Sequence, residues 1–329
     1  MFAIETQKLT KRFGSFTAVN QIDLKVQEGE LFGLLGPNGA GKTTTLSMLA
    51  TMLSVSKGKA FVNGLDVSQE PDAVRKSIGI VFQDPSLDFD LTAKENLEFH
   101  AKLYGLPASL RSKRILEVLK LVELEDRAKD LVKTFSGGMK RRLEIARGLL
   151  HHPTVLFLDE PTLGLDPQTR RRLWKHIQKL NKKENIAMIL TTHYMEEADF
   201  LCDRIAIIDG GNIIALDSPT NLKKQLKGET ILVQSNNNTQ LAQLKLSGIF
   251  TVKALKDAVQ FSVKDSNHLL PQLFQSASKQ NIQIESVSIH QPSLEDVFVH
   301  LTGHSIREEV ASAGEQVKAK MKYQGYVRR

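Results

Sequence analysis

The amino-acid sequence predicts an α/β fold with a largely parallel sheet, followed by a smaller α+β domain. In the first half of the chain, short apolar runs alternate with segments of helical periodicity, which is typical of parallel sheets. From about Glu229 onward, the segments follow the order strand, helix, strand, strand, helix, strand, which is the split βαβ pattern of a two-layer domain. A length of 329 residues is sufficient for two domains of ordinary size.

Five apolar runs before residue 210 are candidates for strands that are buried on both faces. They comprise residues 31–35, 78–82, 155–158, 186–190 and 205–208. A helix is predicted over residues 43–52, where Leu46 and Leu49 follow at helical spacing. The pattern becomes mainly helical at about residues 84–148, so we expect a helical subdomain inserted into the α/β domain.

Two domains and a basic tail are expected along the chain. The α/β domain covers residues 1–220, the α+β domain covers residues 228–303, and a linker over residues 218–227 joins them. Residues 304–329 form a basic tail that we expect to be flexible. The formal net charge is +7, of which residues 317–329 contribute +5. The rest of the chain is therefore nearly balanced, and we expect no nucleic-acid partner.

Composition excludes several classes of protein. Apolar residues make up 41% and charged residues 25% of the chain, which is ordinary for a globular protein and not for a disordered or collagen-like one. No apolar run approaches the roughly 18–20 residues of a membrane helix, and no signal peptide is evident. The single cysteine, Cys202, cannot form an intrachain disulfide. We therefore expect a cytoplasmic protein, and another chain must supply any membrane span.

A glycine-rich loop follows the first apolar run and precedes the predicted helix. It matches the phosphate-loop (Walker A) pattern G-x-x-x-x-G-K-[ST] with Gly36, Pro37, Asn38, Gly39, Ala40, Gly41, Lys42 and Thr43, followed by Thr44. Backbone N–H groups of such a loop surround phosphate oxygens, and glycine permits the close approach. Lys42 is expected to reach the outer phosphates and the Thr43 hydroxyl to bind Mg²⁺. The loop therefore predicts ATP or a similar nucleotide on a P-loop NTPase (RecA-like) core.

Polar residues follow three further apolar runs. Asp159 and Glu160 come directly after the third run, where an acid of a P-loop enzyme holds Mg²⁺ and its neighbour can act as a general base. Gln83 follows the second run and is a candidate to reach Mg²⁺ or water. His193 follows the fourth run, where its imidazole is a candidate contact of the γ-phosphate. Considered alone, Gln83 is as typical of a solvated turn, and His193 of a helix start.

A second anion site is predicted at Ser136, Gly137 and Gly138, which precede a helix over residues 139–150. A hydroxyl and unhindered N–H groups at a helix N-terminus bind anions. An ordinary helix cap would show the same residue types. One nucleotide rarely needs two unrelated anion sites in one chain.

Together, these motifs resemble the nucleotide-binding subunit of ATP-binding-cassette (ABC) transporters over roughly residues 4–220. The resemblance implies a head-to-tail dimer, in which the segment Ser136–Gly138 of one subunit closes on ATP held by the phosphate loop of the other. It also implies that Asp166 lies at the dimer seam and that an aromatic side chain stacks on adenine, for which we prefer Phe13 to Phe16.

Two residues depart from the family's usual signature, since Phe135 and Met139 stand where Leu and Gln are usual. Neither change removes a hydroxyl or N–H group that faces phosphate. Glu160 and His193 are both present, so we expect hydrolysis to be retained.

The segment at residues 292–303 resembles the C-terminus of exporter subunits of the daunorubicin-resistance and lipid-exporter kind. Its residues Leu294, Val297, Phe298 and Leu301 also fit the core face of an amphipathic helix. The resemblance implies an ATPase that uses Mg²⁺ and powers export of a drug, lipid or other small molecule through a separate multispanning permease. We expect a homodimer at the cytoplasmic face of the membrane, with anionic lipid as a candidate contact of the basic tail.

Two other classes of protein compete with this interpretation. A soluble ABC ATPase that acts on ribosomes usually carries two cassettes, whereas this chain has one phosphate loop, and the DNA type carries a long coiled coil, whereas no sustained heptads occur here. A P-loop kinase or GTPase needs neither the segment 136–138 nor His193.

Overall fold

A computed structural model describes residues 2–226, 228–244 and 246–303 of the chain. These residues form two compact units, which meet in sequence at Pro219 and Thr220. The predicted basic tail, residues 304–329, lies outside the described residues. Within the described part of the chain, no helix combines the length and apolar character that crossing a bilayer requires.

The first unit combines two sheets with several helices. Its strands are β1 (Phe2–Phe13), β2 (Phe16–Gln27), β3 (Leu31–Leu35), β4 (Lys57–Val62), β5 (Leu65–Asp66), β6 (Ile78–Val81), β7 (Val155–Asp159), β8 (Ala187–Thr192), β9 (Arg204–Asp209) and β10 (Asn212–Asp217). Its helices are α1 (Lys42–Leu49), α2 (Pro71–Ser77), α3 (Ala93–Leu103), α4 (Ala108–Leu121), α5 (Gly137–Gly148), α6 (Pro167–Glu184) and α7 (Met195–Leu201). The predicted helical subdomain corresponds to α3, α4 and α5.

The larger sheet confirms the predicted α/β core. Its strand order is β10-β9-β3-β8-β7-β6, and all neighbouring pairs except β9 with β10 are parallel. Every residue of β3, β7 and β8 is buried, which explains why these strands are continuous apolar runs in the sequence. The carboxyl ends of β3, β7, β8 and β6 carry the predicted site residues, so the parallel arrangement brings those residues to one edge.

A second, antiparallel sheet was not predicted. Its order is β2-β1-β4-β5, and β1 pairs with β2 in a hairpin at the start of the chain. The inward face of β2 carries Ile22, Leu24 and Val26, and these side chains belong to the same core as Phe32 and Phe157 of the parallel sheet. The burial of this face fixes the hairpin beside the phosphate loop.

The single cysteine lies in this core. Cys202 is buried, and a Cβ atom added to Gly33 would lie 2.8 Å from its Sγ atom. Burial raises the pKa of the Cys202 thiol well above its usual value, with smaller contributions from nearby carboxylates. The thiol is therefore protonated and tightly packed.

The second unit has the predicted split βαβ architecture. It contains β11 (Glu229–Ser235), α9 (Asn238–Ala242), β12 (Ile249–Ala254), β13 (Val259–Val263), α10 (Ser266–Lys279), β14 (Ile284–His290) and α11 (Leu294–Thr302). Its antiparallel sheet has the order β12-β13-β11-β14. Side chains such as Val233, Phe261 and Leu273 form a separate core between this sheet and its helices.

The expected linker at 218–227 contains a short helix, α8 (Pro219–Lys224), in which the fixed φ of Pro219 suits the first turn. One local prediction for this part of the chain was wrong. On α11, Leu294, Val297 and Phe298 are buried as expected, but Leu301 is 40% exposed. The apolar face of α11 is therefore shorter than its sequence pattern indicates.

Candidate functional site

The phosphate loop connects β3 to α1 and depends on glycine at two close approaches. A Cβ atom at Gly36 would lie 2.2 Å from the carbonyl oxygen of Ile208, and one at Gly41 would lie 2.5 Å from that of Ala18. Gly41 also has a φ of 103° at the start of α1, a backbone conformation that residues with a Cβ rarely adopt. The close approaches and this φ explain why the loop sequence requires glycine here.

One cleft contains most of the predicted nucleotide-site residues. Its lining includes Phe13, Phe16, Asn38, Gly39, Gly41, Lys42, Thr43, Thr44, Gln83, Glu160 and His193. Gly36, Pro37 and Ala40 are buried beneath the exposed turn of the loop. Phe13 and Phe16 are 47% and 62% exposed, so both rings are available to a planar base. The cleft therefore has apolar rings at one side and cationic and acidic groups at the other.

Lys42 supplies the positive charge at the base of the cleft. It is 4% exposed, and its Nζ atom donates hydrogen bonds to the carbonyl oxygens of Gly36 at 2.8 Å and Pro37 at 2.9 Å. Burial lowers the pKa of Lys42, while the charges of Glu160 and Asp159 limit the decrease. A phosphate group is a stronger, charged acceptor than these carbonyls, so the ammonium is suited to bind one.

Asp159 is held by two threonine hydroxyls. The Thr43 hydroxyl donates to its Oδ1 atom at 3.1 Å, and the Thr191 hydroxyl also donates to Oδ1. Across residues 2–226, 228–244 and 246–303, His, Cys, Asp and Glu side chains form no group of three that could hold a metal ion. Mg²⁺ nevertheless commonly uses one or two carboxylates together with water and substrate phosphates. The oxygens of Thr43 and Asp159 therefore fit Mg²⁺ bound with a nucleotide.

Glu160 lies between Lys42 and His193. Its Oε1 atom is 3.2 Å from Nδ1 of His193 and 3.8 Å from Nζ of Lys42. Burial raises the pKa of Glu160, but the hydrogen bond and charge of His193 and the charge of Lys42 lower it, so that the net pKa is below the usual value. Glu160 is therefore a carboxylate at neutral pH, the form that accepts a proton.

The predicted second anion site lies outside this cleft in the same chain. The Ser136 hydroxyl accepts a hydrogen bond from the Met139 N–H at 3.4 Å and caps α5. Ser136 and Gly138 line a different cavity, together with Arg142 and other residues of α5 and α6. One chain therefore does not bring its phosphate loop and this segment to the same nucleotide.

Asp166 begins α6 next to the Ser136 segment. Its carboxylate accepts hydrogen bonds from the backbone N–H groups of Gln168 at 3.1 Å and Thr169 at 3.0 Å. A Cβ atom on Gly138 would lie 2.5 Å from Cγ2 of Thr169, so the starts of α5 and α6 are in close contact. Asp166 is exposed and is available to a partner.

Two residues that organise the cleft were missed by sequence reasoning. Thr191, on β8, contacts Asp159 and also accepts a hydrogen bond from the Glu160 N–H at 3.0 Å. Arg141 is buried on α5 and donates to the backbone at the end of β7. The sequence carries no distinct signal for Arg141, because α5 also contains Lys140, Arg142, Glu144 and Arg147.

A phosphate loop after β3, an acidic pair at the end of β7, and Gln83 and His193 around the same cleft define an ATP-binding cassette. The "ABC transporter" family model matches residues 19–163. The "ATP-binding protein DrrA1-3-like, C-terminal domain" model matches residues 218–302. The chain belongs to the ATP-binding proteins of ABC transporters and is an ATPase that binds and hydrolyses ATP.

Relatives match over nearly the whole chain. Linearmycin resistance ATP-binding protein LnrL of Bacillus subtilis is 40% identical over 311 residues, which cover 93% of this chain and 100% of the relative. Daunorubicin resistance ATP-binding protein DrrA3 of Streptomyces coeruleorubidus is 38% identical over 314 residues, with 94% and 99% covered. The matches to both relatives extend through the second unit. The resemblance inferred from the motifs and from residues 292–303 is therefore confirmed.

Solved structures match about two thirds of the chain. The cbiO1 subunit of the cbiONQ transporter from Clostridium perfringens has a TM-score of 0.64 and 29% identity, and covers 68% of this chain and 91% of its own. The cassette MJ0796, described as a dimeric post-hydrolysis state bound to ADP and Pi, has a TM-score of 0.58 and 29% identity, with 65% and 98% covered. These matches confirm the cassette fold and disfavour a kinase or GTPase.

Proposed function

We propose that this chain is the ATP-hydrolysing subunit of an exporter for a drug, lipid or other small molecule. The observation that carries the proposal is the combination of an intact cassette cleft with a second unit of the DrrA-like type. The names of the full-length relatives describe resistance to linearmycin and daunorubicin, and another relative is a Nod factor export protein. An exporter is therefore favoured over an ATPase that acts on ribosomes or DNA.

In this proposal, the cleft binds ATP with its phosphates in the loop at residues 36–43 and its adenine against Phe13, with Phe16 as the alternative platform. Thr43, Asp159 and Gln83 would hold Mg²⁺, which when bound neutralises charge on the phosphates. Lys42 binds the outer phosphates. The cleft offers a cation at the phosphate end and an exposed ring at the other, as an adenine nucleotide requires.

Glu160 is the general base for hydrolysis. Its carboxylate accepts a proton from the attacking water, and His193 holds the carboxylate and contacts the γ-phosphate. The low pKa of Glu160 keeps it deprotonated, and Lys42 stabilises the negative charge that develops on the phosphate.

The working form is a head-to-tail dimer, most simply of two identical chains. Ser136, Gly137 and Gly138 of one subunit contact the ATP in the cleft of the other, and Asp166 lies at the seam. The separation of the two sites within one chain supports this arrangement. Since these contacts to ATP exist only in the closed dimer, ATP favours closure and hydrolysis permits opening.

A multispanning permease supplies the membrane span, and the chain acts at the cytoplasmic face. We place the docking site in the segment at residues 83–96, which joins Gln83 to the helical subdomain. Phe89 in this segment is 41% exposed. A photo-crosslinking residue at Phe89 should capture the permease, whereas one at Phe250 of the second unit, which is 52% exposed, should not. Equal capture from both positions would contradict this docking site.

Co-purification from membranes tests the exporter assignment. The Glu160→Gln variant should retain ATP and hold the dimer closed, and it should be recovered with a multispanning protein. The same purification with the Lys42→Met variant, which is expected to bind ATP poorly, should not yield the closed dimer. Recovery with ribosomes instead would overturn the exporter assignment.

The basic segment at residues 317–329 is proposed to contact anionic lipid. Each Lys or Arg near an anionic surface contributes up to about 1 kcal/mol, and this segment has five such residues and no acid. A chain that ends at residue 316 should bind anionic liposomes more weakly than the full chain, and the difference should vanish with neutral liposomes. Equal binding of both chains to anionic liposomes would refute the contact.

A further inference from the structure

A buried arginine on α5 contacts the backbone beside Glu160. Arg141 is 7% exposed, and its Nε atom donates to the carbonyl oxygen of Pro161 at 2.7 Å. Its Nη2 atom donates to the carbonyl oxygens of Asp159 at 2.9 Å and Glu160 at 3.2 Å. One side chain therefore binds three successive carbonyl groups at the point where β7 ends.

The backbone that Arg141 holds has an unfavourable conformation. Glu160 has a φ of 44°, in the left-handed region that a residue with a Cβ seldom adopts. Such a conformation persists where the surroundings hold it in place. The Glu160 N–H is bound by Thr191, and the carbonyls on both sides of the turn are bound by Arg141. These contacts orient the Glu160 side chain so that its carboxylate points toward Lys42.

The other half of the guanidinium reaches Phe82, which lies between β6 and Gln83. Nη1 of Arg141 donates to the carbonyl oxygen of Phe82 and to Oε2 of Glu144, the latter at 2.7 Å. Oε1 of Glu144 accepts a hydrogen bond from the N–H of Ser86 at 2.9 Å. All five N–H groups of the guanidinium therefore have acceptors, which defines its orientation completely.

We propose that Arg141 is a positioning residue that couples the helix carrying Ser136–Gly138 to the carboxylate of Glu160. The inference rests on the proposed role of Glu160 as the base. Ser136 begins α5 and Arg141 lies within its first two turns, so a nucleotide of the partner subunit that orders the start of α5 also orders the backbone of Glu160. Closure of the dimer and correct placement of the base are then one event.

Lysine cannot replace this arginine, although it preserves the charge. A lysine ammonium is compact and lacks the planar fork that binds separate carbonyl groups in a fixed direction. We expect Arg141→Lys to lower kcat for ATP hydrolysis by roughly 10- to 100-fold, because small displacements of a catalytic group have effects of this size. KM for ATP should change less than about 3-fold, since Arg141 has no contact with Lys42 or the phosphate loop.

A double-mutant cycle separates positioning from a general structural role. Single-turnover hydrolysis of radiolabelled ATP is measured for the 329-residue chain, Arg141→Lys, Glu160→Gln and the double variant. If Arg141 acts through Glu160, its substitution should reduce the rate in the parent but change it less than about 3-fold in the Glu160→Gln background. An equal reduction in both backgrounds would overturn the proposal.

Arg114 provides the matched control. It is also 7% exposed and donates to the backbone carbonyls of Leu149 and Leu150, but it has no contact with Glu160. Arg114→Lys should leave kcat near the parent value, and an equal loss in both variants would contradict a specific role for Arg141. If Arg141→Lys does not fold, Arg141→Gln, which keeps an amide donor, is measured in the same cycle.

The experiment also separates this proposal from the function on which it rests. Unchanged hydrolysis in Glu160→Gln would refute the base assignment and the coupling with it. An inactive Glu160→Gln with a fully active Arg141→Lys would refute the coupling alone.

Discussion

Replacing Glu160 with Gln is expected to lower kcat for ATP hydrolysis by about 10²–10⁴-fold, the usual contribution of a general base. The amide has nearly the shape of the carboxylate but cannot accept the proton of the attacking water. ATP affinity should be retained, because the phosphate loop and Lys42 are unchanged and one negative charge beside the phosphates is removed. Steady-state hydrolysis and equilibrium nucleotide binding, measured on the same preparation, test both parts.

The control for Glu160→Gln is the same substitution at an exposed acid outside the cleft. Glu144 is unsuitable, because it pairs with Arg141. Glu98 lies outside the cleft on α3, where it pairs with Lys102 at 3.2 Å. Glu98→Gln should leave kcat unchanged. A Glu160→Gln variant with at least half of the parent kcat would show that another group removes the proton.

Replacing Lys42 with Met is expected to abolish most ATP binding. The substitution keeps the length of the side chain but removes the only ammonium that lines the cleft in the described part of the chain. Loss of one partner from a buried, charge-assisted contact costs about 2–5 kcal/mol, which corresponds to a decrease in affinity of roughly 30-fold or more. Equilibrium dialysis with labelled ATP measures this decrease directly.

Lys133→Met is the control for loss of charge alone, because Lys133 is exposed and pairs with Asp90 at 3.4 Å outside the cleft. It should bind ATP like the parent. Parent-like affinity in Lys42→Met would show that the backbone of the phosphate loop alone holds the nucleotide. Since Glu160→Gln should spare binding and Lys42→Met should not, the pair separates turnover from affinity.

Strands buried on both faces could be predicted from the sequence, whereas the hairpin at the start of the chain could not. The run at residues 31–35 coincides with β3 because every side chain is buried. The hairpin of β1 and β2 was missed because charged residues such as Lys8 and Arg12 interrupt its apolar alternation. The end of a helix was also misjudged. The helix predicted over residues 43–52 ends at Leu49 in the structure, although the apolar pattern continues to residue 52.

The residues of the candidate site that belong to local sequence motifs could be predicted. Gly36–Thr43, Asp159 and Glu160 carry local patterns, and parallel strands bring them together at one edge. Thr191 and Arg141 act through backbone carbonyls, N–H groups and a carboxylate that are distant in sequence, for example Arg141 with Asp159. No local pattern records such contacts, because a carbonyl acceptor can belong to any residue type.

The buried Cys202 has a practical value for observing the dimer at work. Because this thiol is protonated and packed against Gly33, maleimide reagents should not react with it in the folded chain. A single cysteine introduced at an exposed position can therefore carry a spin or fluorescent label without removal of the native residue. Asn38 and Ser136 are exposed at the two sites that closure would bring together. Distances between labels at these positions would report closure and reopening during the ATP cycle.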